Sequence, residues 1–199
     1  MASILPPSFY ARDALDVARD LLGKLLRRGP VVLRITEVEA YRHPNDTANH
    51  CRAGRTARNA PMWGPPGHAY VYLCYGVHHM LNLVTDAEGE GAAVLIRSAE
   101  PVAGLGVVRE RRGGCEGPAA LTGPGKVAAA LALDSTWSGH CLYRRGGLVV
   151  LDAPSPEVVL AGPRVGIDYA TARDRRARWR LADGASAYVS ARPALRPTR

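Results

Sequence analysis

Two glutamates, a histidine and several tyrosines lie close together in the first half of the sequence. Glu37 and Glu39 stand at the end of an apolar stretch, His50 follows, and an aromatic run occupies residues 70–75. A carboxylate can activate water, aromatic faces can hold a flat heterocycle, and a ring at a turn can fill a gap in a base stack. Together these are the parts that an enzyme needs to remove a base from DNA.

Glu39 carries most of this hypothesis, and Glu37 is its rival. Alternation along residues 31–41 places one set of side chains on a single strand face: Leu33, Ile35, Glu37, Glu39 and Tyr41. A carboxylate that shares a face with core aliphatics must be paired, protonated or used in chemistry. A structural ion pair with Arg34 or Arg97 would also explain it. Arg97 stands alone in an apolar strand, and one of the two glutamates is its expected partner.

The aromatic residues have structural alternatives. His50 could be an ordinary surface histidine, or its imidazole could hydrogen-bond a base edge or the DNA backbone. Tyr70 and Tyr72 are compatible with simple packing. Tyr75 differs because it precedes Gly76 at a presumed turn, where its ring would project and could enter a duplex as a wedge.

Other kinds of site are disfavoured. His78 and His79 are adjacent, so on a strand they point to opposite faces, and no third metal ligand is suitably spaced. The sequence also lacks a phosphate-binding loop, a nucleophile elbow and a dinucleotide-binding glycine motif. We therefore expect no metal and no cofactor.

Hydrophobic periodicity and turn residues predict an α+β fold in a single domain, because helices and strands do not alternate strictly. Thr122 is the expected cap of the third predicted helix, and Pro124 its early proline. We expect flexible connections at residues 112–114 and 170–178 and a frayed basic tail at 193–199. The predicted helices are 12–24, 102–112 and 126–133, and the predicted strands are 31–41, 68–74, 79–85, 92–98, 148–151, 157–160 and 187–190.

Charge favours a polyanionic partner. The chain of 199 residues has a formal net charge of +8, although only two of its 26 basic residues are lysine and the arginine excess could reflect codon composition. One basic run, residues 173–180, is either a phosphate-facing surface or a solvated face. A second run is the better candidate for DNA contact because it lies beside the carboxylates and His50: Arg42, Arg52, Arg55 and Arg58.

Cysteine usage and hydropathy concern the cellular location. The four cysteines are widely spaced with no C-x-x-C pair, so we expect reduced thiols inside the cell. No apolar run approaches the roughly 20 residues that span a bilayer. A secretion signal is not recognisable near the amino terminus, and we expect a cytoplasmic protein without a membrane partner.

The order of several motifs resembles the alkyladenine (3-methyladenine) DNA glycosylase family. The resemblance covers roughly residues 5–190. The motifs are Glu-Val-Glu-Ala-Tyr at 37–41, Asn-His-Cys-Arg at 49–52, Thr-Ala-Arg-Asn at 56–59, Tyr-Val-Tyr-Leu-Cys-Tyr-Gly at 70–76, Val-Leu-Ile-Arg-Ser-Ala-Glu-Pro at 94–101, Gly-Pro-Gly-Lys at 123–126 and Pro-Arg-Val-Gly-Ile at 163–167.

The resemblance implies a curved antiparallel sheet surrounded by helices, in a domain of residues 1–199 with a core at about 5–190 and a basic tail at 191–199. It implies a monofunctional, metal-free enzyme that hydrolyses the N-glycosidic bond of damaged purines in duplex DNA. Glu39 is then the base that activates water, and Arg97 and the carbonyl of Val165 help to place that water. The other implied roles are base-pocket walls for Tyr41, His50 and Tyr72, discrimination against guanine for Asn82, intercalation for Tyr75, and backbone contact for Arg52, Arg55, Arg58 and Lys126.

Two alternatives remain open. A non-catalytic module could bind distorted duplexes or RNA with the carboxylate merely anchoring Arg97, and a metal-dependent hydrolase could use His50, His78 and His79. The hairpin residues Val77, His78 and His79 depart from the bulkier apolar pattern of vertebrate members, which leaves the preferred lesion open. The compact 111–117 segment suits a bacterial-type member, and we expect a monomer.

Overall fold

A computed structural model describes residues 2–198 as a single α+β domain built on one antiparallel sheet, which confirms the predicted fold class. The sheet has nine strands, and the pairing of neighbours is antiparallel throughout. The strands are β1 (Leu25–Arg28), β2 (Val31–Tyr41), β3 (Ala69–Cys74), β4 (His78–Val84), β5 (Ala93–Ala103), β6 (Leu148–Leu151), β7 (Val159–Gly162), β8 (Arg180–Asp183) and β9 (Arg196–Pro197).

Strand β2 is central to the sheet. The main strand order is β3-β4-β5-β2-β8-β7-β9, and β1 pairs with both β2 and β6. β5 runs along one edge of β2, whereas β1 pairs with its first residues and β8 with residues 37–39. The acidic end of β2 is therefore enclosed between two strands.

Because of two bulges, the side chains of β2 point to different faces from those predicted. Ile35 pairs with Ala99 and Glu37 with Ser98, so Thr36 is an extra residue in β2, and the register shifts again beside Arg97 of β5. An extra residue reverses the side-chain alternation. Leu33 and Ile35 therefore share the hydrophobic core with Val38 and Ala40. Glu37, Glu39 and Tyr41 point to the opposite face from these aliphatics, and the predicted common face is wrong.

Residues 2–198 contain five α-helices, of which α2 (Ala14–Leu21), α3 (Leu105–Arg111) and α4 (Pro124–Ala130) pack on the sheet. α2 begins where Asp13 accepts a hydrogen bond from the backbone of Leu15, and it buries Ala14, Val17, Ala18 and Leu21 at helical spacing. It ends before Gly23, whose positive φ of 83° and contact with Pro154 exclude a side chain. The helices are α1 (Pro7–Tyr10), α2 (Ala14–Leu21), α3 (Leu105–Arg111), α4 (Pro124–Ala130) and α5 (Ala172–Arg176).

Two predicted boundaries shift in the middle of the chain. β5 continues to Ala103 through residues assigned from sequence to a helix, and α3 begins only after Gly104, which has a left-handed conformation. α4 has Pro124 in its first turn as expected, but Thr122 does not cap it. The Thr122 hydroxyl donates to the carbonyl of Pro118 instead.

The carboxyl-terminal region is more ordered than predicted. Residues 172–176 form α5, which Thr171 caps, instead of a flexible connection. β8 precedes the strand predicted at 187–190, and that segment is not a strand. Residues 196–197 pair with β7, and Leu195 is buried, so the predicted frayed tail is part of the sheet up to residue 198. The tail's last residue, Arg199, lies outside the described residues.

Candidate active site

A cavity of about 690 Å³ opens beside the end of β2, within the range of about 300–1,000 Å³ usual for ligand pockets. Its walls come from six parts of the chain: β2, the loop after it, the β3–β4 hairpin, β5, Pro124 and residues 165–169. The predicted site residues that line it are Tyr41, His50, Arg58, Tyr72, Tyr75, Asn82, Arg97 and Val165. Folding thus brings together residues that are up to 124 positions apart.

Glu39 lies directly behind these walls. Its carboxylate is fully buried, and its Oε1 accepts a hydrogen bond of 2.8 Å from the backbone N–H of Val165. Its Oε2 accepts one of 2.9 Å from the hydroxyl of Tyr41, and Arg97 Nη1 lies 3.3 Å from Oε1. Every one of these donors belongs to a residue of the cavity wall.

Burial raises the pKa of Glu39, while Arg97, the Val165 N–H and the Tyr41 hydroxyl pull it back down. A carboxyl in this balance can change its proton affinity when the cavity is filled. Proton acceptance from a water molecule is the chemistry that such a group can perform.

Glu37 is saturated by structural partners. Its Oε1 accepts from Arg180 at 3.0 Å and from the Ser190 hydroxyl at 2.9 Å. Its Oε2 accepts from the Ser98 hydroxyl at 2.7 Å and from the backbone N–H of Ser190 at 2.8 Å. Neither carboxylate lines the cavity. The hydrogen bonds to Glu37 come from residues outside the cavity wall, whereas Tyr41 and Val165 of that wall donate to Glu39, which favours Glu39 as the reactive group.

Arg97 connects the two carboxylates. Its Nε lies 3.4 Å from Glu37 Oε1 and its Nη1 3.3 Å from Glu39 Oε1, which confirms the predicted glutamate partner. Arg34, the alternative ion-pair partner for a buried glutamate, instead donates to the carbonyl of Gly23. The bulge at Arg97 re-aims its side chain, a common use of bulges beside active sites.

Aromatic rings form the side walls. His50 and Tyr72 meet edge to face with ring centroids 4.6 Å apart, and Tyr70 and Tyr72 stack at 5.3 Å. Burial and the nearby Arg58 and Arg52 lower the pKa of His50, which keeps the imidazole neutral at neutral pH. A neutral histidine does not repel a cationic ligand, whereas the rings attract one.

Asn82 forms part of the floor of the cavity. It is almost completely buried, and its amide nitrogen lies within hydrogen-bonding distance of the carbonyls of Tyr70 and Met80, at 3.2 and 3.3 Å. These bonds fix the amide plane. Its position on β4 opposite Leu95 of β5 places it between the aromatic wall and Arg97's strand.

Tyr75 projects from the tip of the β3–β4 hairpin, as the sequence predicts. Its side chain is 90% exposed, and its φ of 50° lies in the left-handed region that non-glycine residues rarely adopt. Val77 in the same turn is 69% exposed. A strained, exposed aromatic residue at a cavity mouth is typical of a functional site.

The basic residues separate into two groups. Arg52, Arg55 and Arg58 are exposed; Arg52 packs on the ring of Tyr169, and Arg58 on that of Tyr72. Lys126 is half-buried in the first turn of α4. Arg42, by contrast, pairs with Asp13 and packs on Trp179, so it belongs to the structure of the fold.

Most arginines of the carboxyl-terminal basic run also form ion pairs or hydrogen bonds within the protein. Arg180 is buried on Glu37, Arg173 pairs with Asp174, and Arg178 donates to backbone carbonyls. Arg175 and Arg176 stay exposed on α5.

Sequence reasoning missed several cavity residues. Tyr169 lines the mouth and anchors its hydroxyl on the carbonyl of Ala48 at 2.8 Å, and Ile167 and Gly166 lie beside it. Tyr70 was assigned to packing, although its hydroxyl lies 3.2 Å from His50 Nδ1. The position of Tyr169 just after the motif at 163–167 was the available signal.

Residues 2–198 contain neither a candidate metal cluster nor a membrane-spanning helix. Across residues 2–198, histidine, cysteine and acidic side chains nowhere gather in a group of three that could hold a metal ion. Within the same residues, every helix is too short or too polar to cross a membrane.

Comparison with known proteins identifies the family. The model of the family described as methylpurine-DNA glycosylase (MPG) matches residues 8–185. The chain belongs to the methylpurine-DNA glycosylase family. The predicted resemblance is thereby confirmed, together with the class of enzyme: a DNA repair glycosylase, which hydrolyses N-glycosyl bonds.

Relatives from three organisms show the same affiliation over nearly the whole chain. A protein of Nitrosococcus oceani named "Putative 3-methyladenine DNA glycosylase" is 61% identical over 99% of this chain and 98% of its own length. The "DNA-3-methyladenine glycosylase" of Arabidopsis thaliana is 57% identical over 94% of this chain and 74% of its own. A protein of Methanocella arvoryzae named "Putative 3-methyladenine DNA glycosylase" is 45% identical over 95% of this chain and 96% of its own length.

Proposed function

We propose that this glycosylase extrudes a damaged purine from duplex DNA into the cavity and hydrolyses its N-glycosidic bond with water activated by Glu39. The observation that carries the proposal is the setting of Glu39: a buried carboxylate bound to Tyr41, Val165 and Arg97, three walls of one cavity. Alkylated purines are the primary substrates, and deaminated or etheno purines are further candidates.

The proposed reaction needs one base and no covalent intermediate with the enzyme. Water attacks C1′ of the sugar while the bond to the purine nitrogen breaks, and Glu39 takes the proton. The carboxylate also stabilises the positive charge that develops on the sugar. Arg97 and the carbonyl of Val165 place the water. The products are the free base and an abasic site.

The aromatic walls supply the selectivity in this proposal. Tyr41, His50 and Tyr72 surround the base, and an electron-poor alkylated purine gains about 0.5–2 kcal/mol from each cation–π contact. Asn82 crowds the exocyclic amino group of guanine and so disfavours this normal base. A cationic base leaves without protonation, whereas a neutral lesion such as hypoxanthine requires a proton donor.

DNA binding in the proposal combines charge with a wedge. Tyr75 fills the gap left by the extruded nucleotide. Arg52, Arg55, Arg58 and Lys126 contact phosphates, which fix the register of the duplex without reading its sequence. We further propose that the enzyme acts as a monomer in the cytoplasm, because sliding along DNA needs no partner subunit.

Base release from matched duplexes tests the proposal. The duplexes carry ethenoadenine, hypoxanthine or normal adenine, and methylated DNA extends the range of lesions. We expect release from at least one damaged substrate and none from normal adenine, with EDTA present throughout. Glu39→Gln should lower the single-turnover rate by about 100-fold or more while it retains lesion binding.

The control is Glu90→Gln, which removes an exposed loop carboxylate and should leave the rate unchanged. Wild-type protein that binds lesions but releases no base from any of these substrates would contradict the proposal and favour the non-catalytic module. Loss of release in EDTA would favour the metal-dependent alternative.

A further inference from the structure

A buried ion pair lies directly behind the catalytic wall. Arg164 forms two bonds with Asp46, Nη1 to Oδ2 at 2.5 Å and Nη2 to Oδ1 at 2.7 Å, and both side chains are completely buried. Nη1 also donates to the carbonyl of Ala40 at 2.9 Å. The pair therefore ties the segment before Val165 to the end of β2 and to the loop that follows it.

Arg164 contacts both routes by which hydrogen bonds reach Glu39. It is the residue before Val165, whose N–H donates to Glu39 Oε1. Its guanidinium also lies 4.7 Å from the ring centroid of Tyr41, whose hydroxyl donates to Glu39 Oε2, and 4.9 Å from that of Trp179. Arg164 does not line the cavity, so it supports the Tyr41 ring from behind.

We propose that Asp46 and Arg164 are positioning residues, which hold the carboxylate of Glu39 in its working orientation through Val165 and Tyr41. Glu39 itself has no contact with either residue among the hydrogen bonds and ion pairs of residues 2–198. The pair acts by fixing the two donors.

Stability alone is a poor explanation for this pair. Replacement of a buried ion pair by apolar residues is often neutral or stabilising. Arg164 Nε is moreover buried without a hydrogen-bond partner among the described residues. The guanidinium packs between two rings and binds one carboxylate with two nitrogens. This geometry indicates that it orients those groups.

Asp46 is the sharper place to test the idea. Besides Arg164, its Oδ1 accepts from the N–H of Ala48 at 3.0 Å and its Oδ2 from the N–H of Arg42 at 3.2 Å. Donors thus face both oxygens. An asparagine amide must turn its NH₂ group toward donors in either orientation, so Asp46→Asn breaks one arm of the fork.

The charges around Glu39 make the direction of the effect diagnostic. Arg97 faces it from β5, Tyr41 and Glu37 from β2, the Val165 N–H from the 163–167 segment, and Arg164 and Tyr72 act over longer distances. Loss of the Asp46 charge by itself stabilises the anion and lowers the pKa of Glu39. Loss of the positioned N–H and hydroxyl donors raises it.

The experiment is a titration of the Glu39 carboxyl by ¹³C NMR, with its resonance assigned from Glu39→Gln. We expect Asp46→Asn to raise the pKa of Glu39, against the sign of the direct charge effect. Arg164→Lys keeps the charge but loses the fork and the flat stack, and it should raise the pKa as well. If Asp46→Asn fails to fold, Arg164→Lys carries the test.

Kinetics provide a second readout. The single-turnover rate of base release should fall about 10- to 100-fold, as for a misplaced catalytic group, with lesion binding little changed. The control is Asp20→Asn on α2, which breaks a partly exposed ion pair between Asp20 and Arg12. It should change neither readout. An unchanged or lowered pKa of Glu39 in folded variants would overturn the proposal.

This inference rests on the role proposed for Glu39, but the NMR titration of Glu39 does not depend on that role. Wild-type protein that releases no base contradicts the proposed function and leaves the titration intact as a test of positioning.

Discussion

Glu37 and Glu39 lie two positions apart on the same face of β2, yet only Glu39 accepts hydrogen bonds from Tyr41 and Val165 of the cavity wall. Arg97 lies within 3.4 Å of a carboxylate oxygen of each. Glu37 receives four further donors from serine and arginine partners, whereas Glu39 is held by Val165 and Tyr41. Glu37 thus anchors Arg97 and Arg180, whereas Glu39 is held by residues of the cavity wall.

Glu37→Gln should therefore act on stability. The substitution leaves the buried Arg180 without its carboxylate and turns an amide NH₂ group toward donors. We expect the free energy of unfolding to fall by about 3–5 kcal/mol, as for other broken buried pairs. Urea denaturation at pH 7 measures this change. A loss below about 1 kcal/mol, close to the typical value for a surface site, would show that the network is dispensable.

The raised pKa of Glu39 predicts an acid limb in the rate of base release. Water activation needs the ionised carboxylate, and burial moves its protonation to higher pH than that of an ordinary glutamate. As pH falls, the single-turnover rate on a neutral lesion should therefore decline before ordinary glutamates titrate near pH 4.3. A rate that stays flat down to that pH would be inconsistent with Glu39 as the base.

The same pKa shift predicts that Glu39→Gln changes the pH dependence of the free energy of unfolding. Between the ordinary pKa of glutamate and the raised value, the native state binds more protons than the unfolded state, so stability falls as pH rises through that window. Glutamine does not titrate, so the variant does not lose stability in this way. Urea denaturation should show that the stability of the variant relative to wild type increases between about pH 4 and pH 7. Equal pH dependence of both proteins would refute the burial argument.

Tyr75→Ala should weaken lesion binding with little effect on folding. The ring is almost fully exposed, and stacking between bases is worth about 1–3 kcal/mol, which corresponds to roughly 5- to 150-fold in affinity. Val77→Ala, at an exposed position in the same turn, is the matched control. Fluorescence anisotropy with a lesion duplex measures both variants, and equal affinities would argue against a wedge at Tyr75.

Arg55→Ala should lower the salt dependence of DNA binding. Arg55 is exposed, and a phosphate contact contributes a slope of about 0.9 in log affinity against log salt. The magnitude of the slope of log affinity against log salt should fall by about 1 for lesion and undamaged duplexes alike. Arg109→Ala removes an arginine of α3 that pairs with Glu116 and serves as the control. A slope identical to that of wild type would remove Arg55 from the interface.

The sequence by itself determined the chemistry and the family. The order of short motifs between residues 37 and 167 predicts a candidate base, candidate pocket aromatics and a candidate wedge, and strand β2 matches its predicted bounds at residues 31–41. These features depend on residue type and on local periodicity, which one sequence displays directly.

Only the tertiary structure decided which carboxylate is held by Tyr41 and Val165 of the cavity wall. Thr36 and Arg97 are bulge residues, and a bulge arises from the pairing of β2 with β5, whose residues lie about 60 positions apart in the chain. The arrangement of Asp46, Arg164 and Val165 around Glu39 likewise joins segments more than 110 positions apart. Such contacts form between distant segments, so local alternation reports neither the reversal of a face nor the donors that reach a buried oxygen.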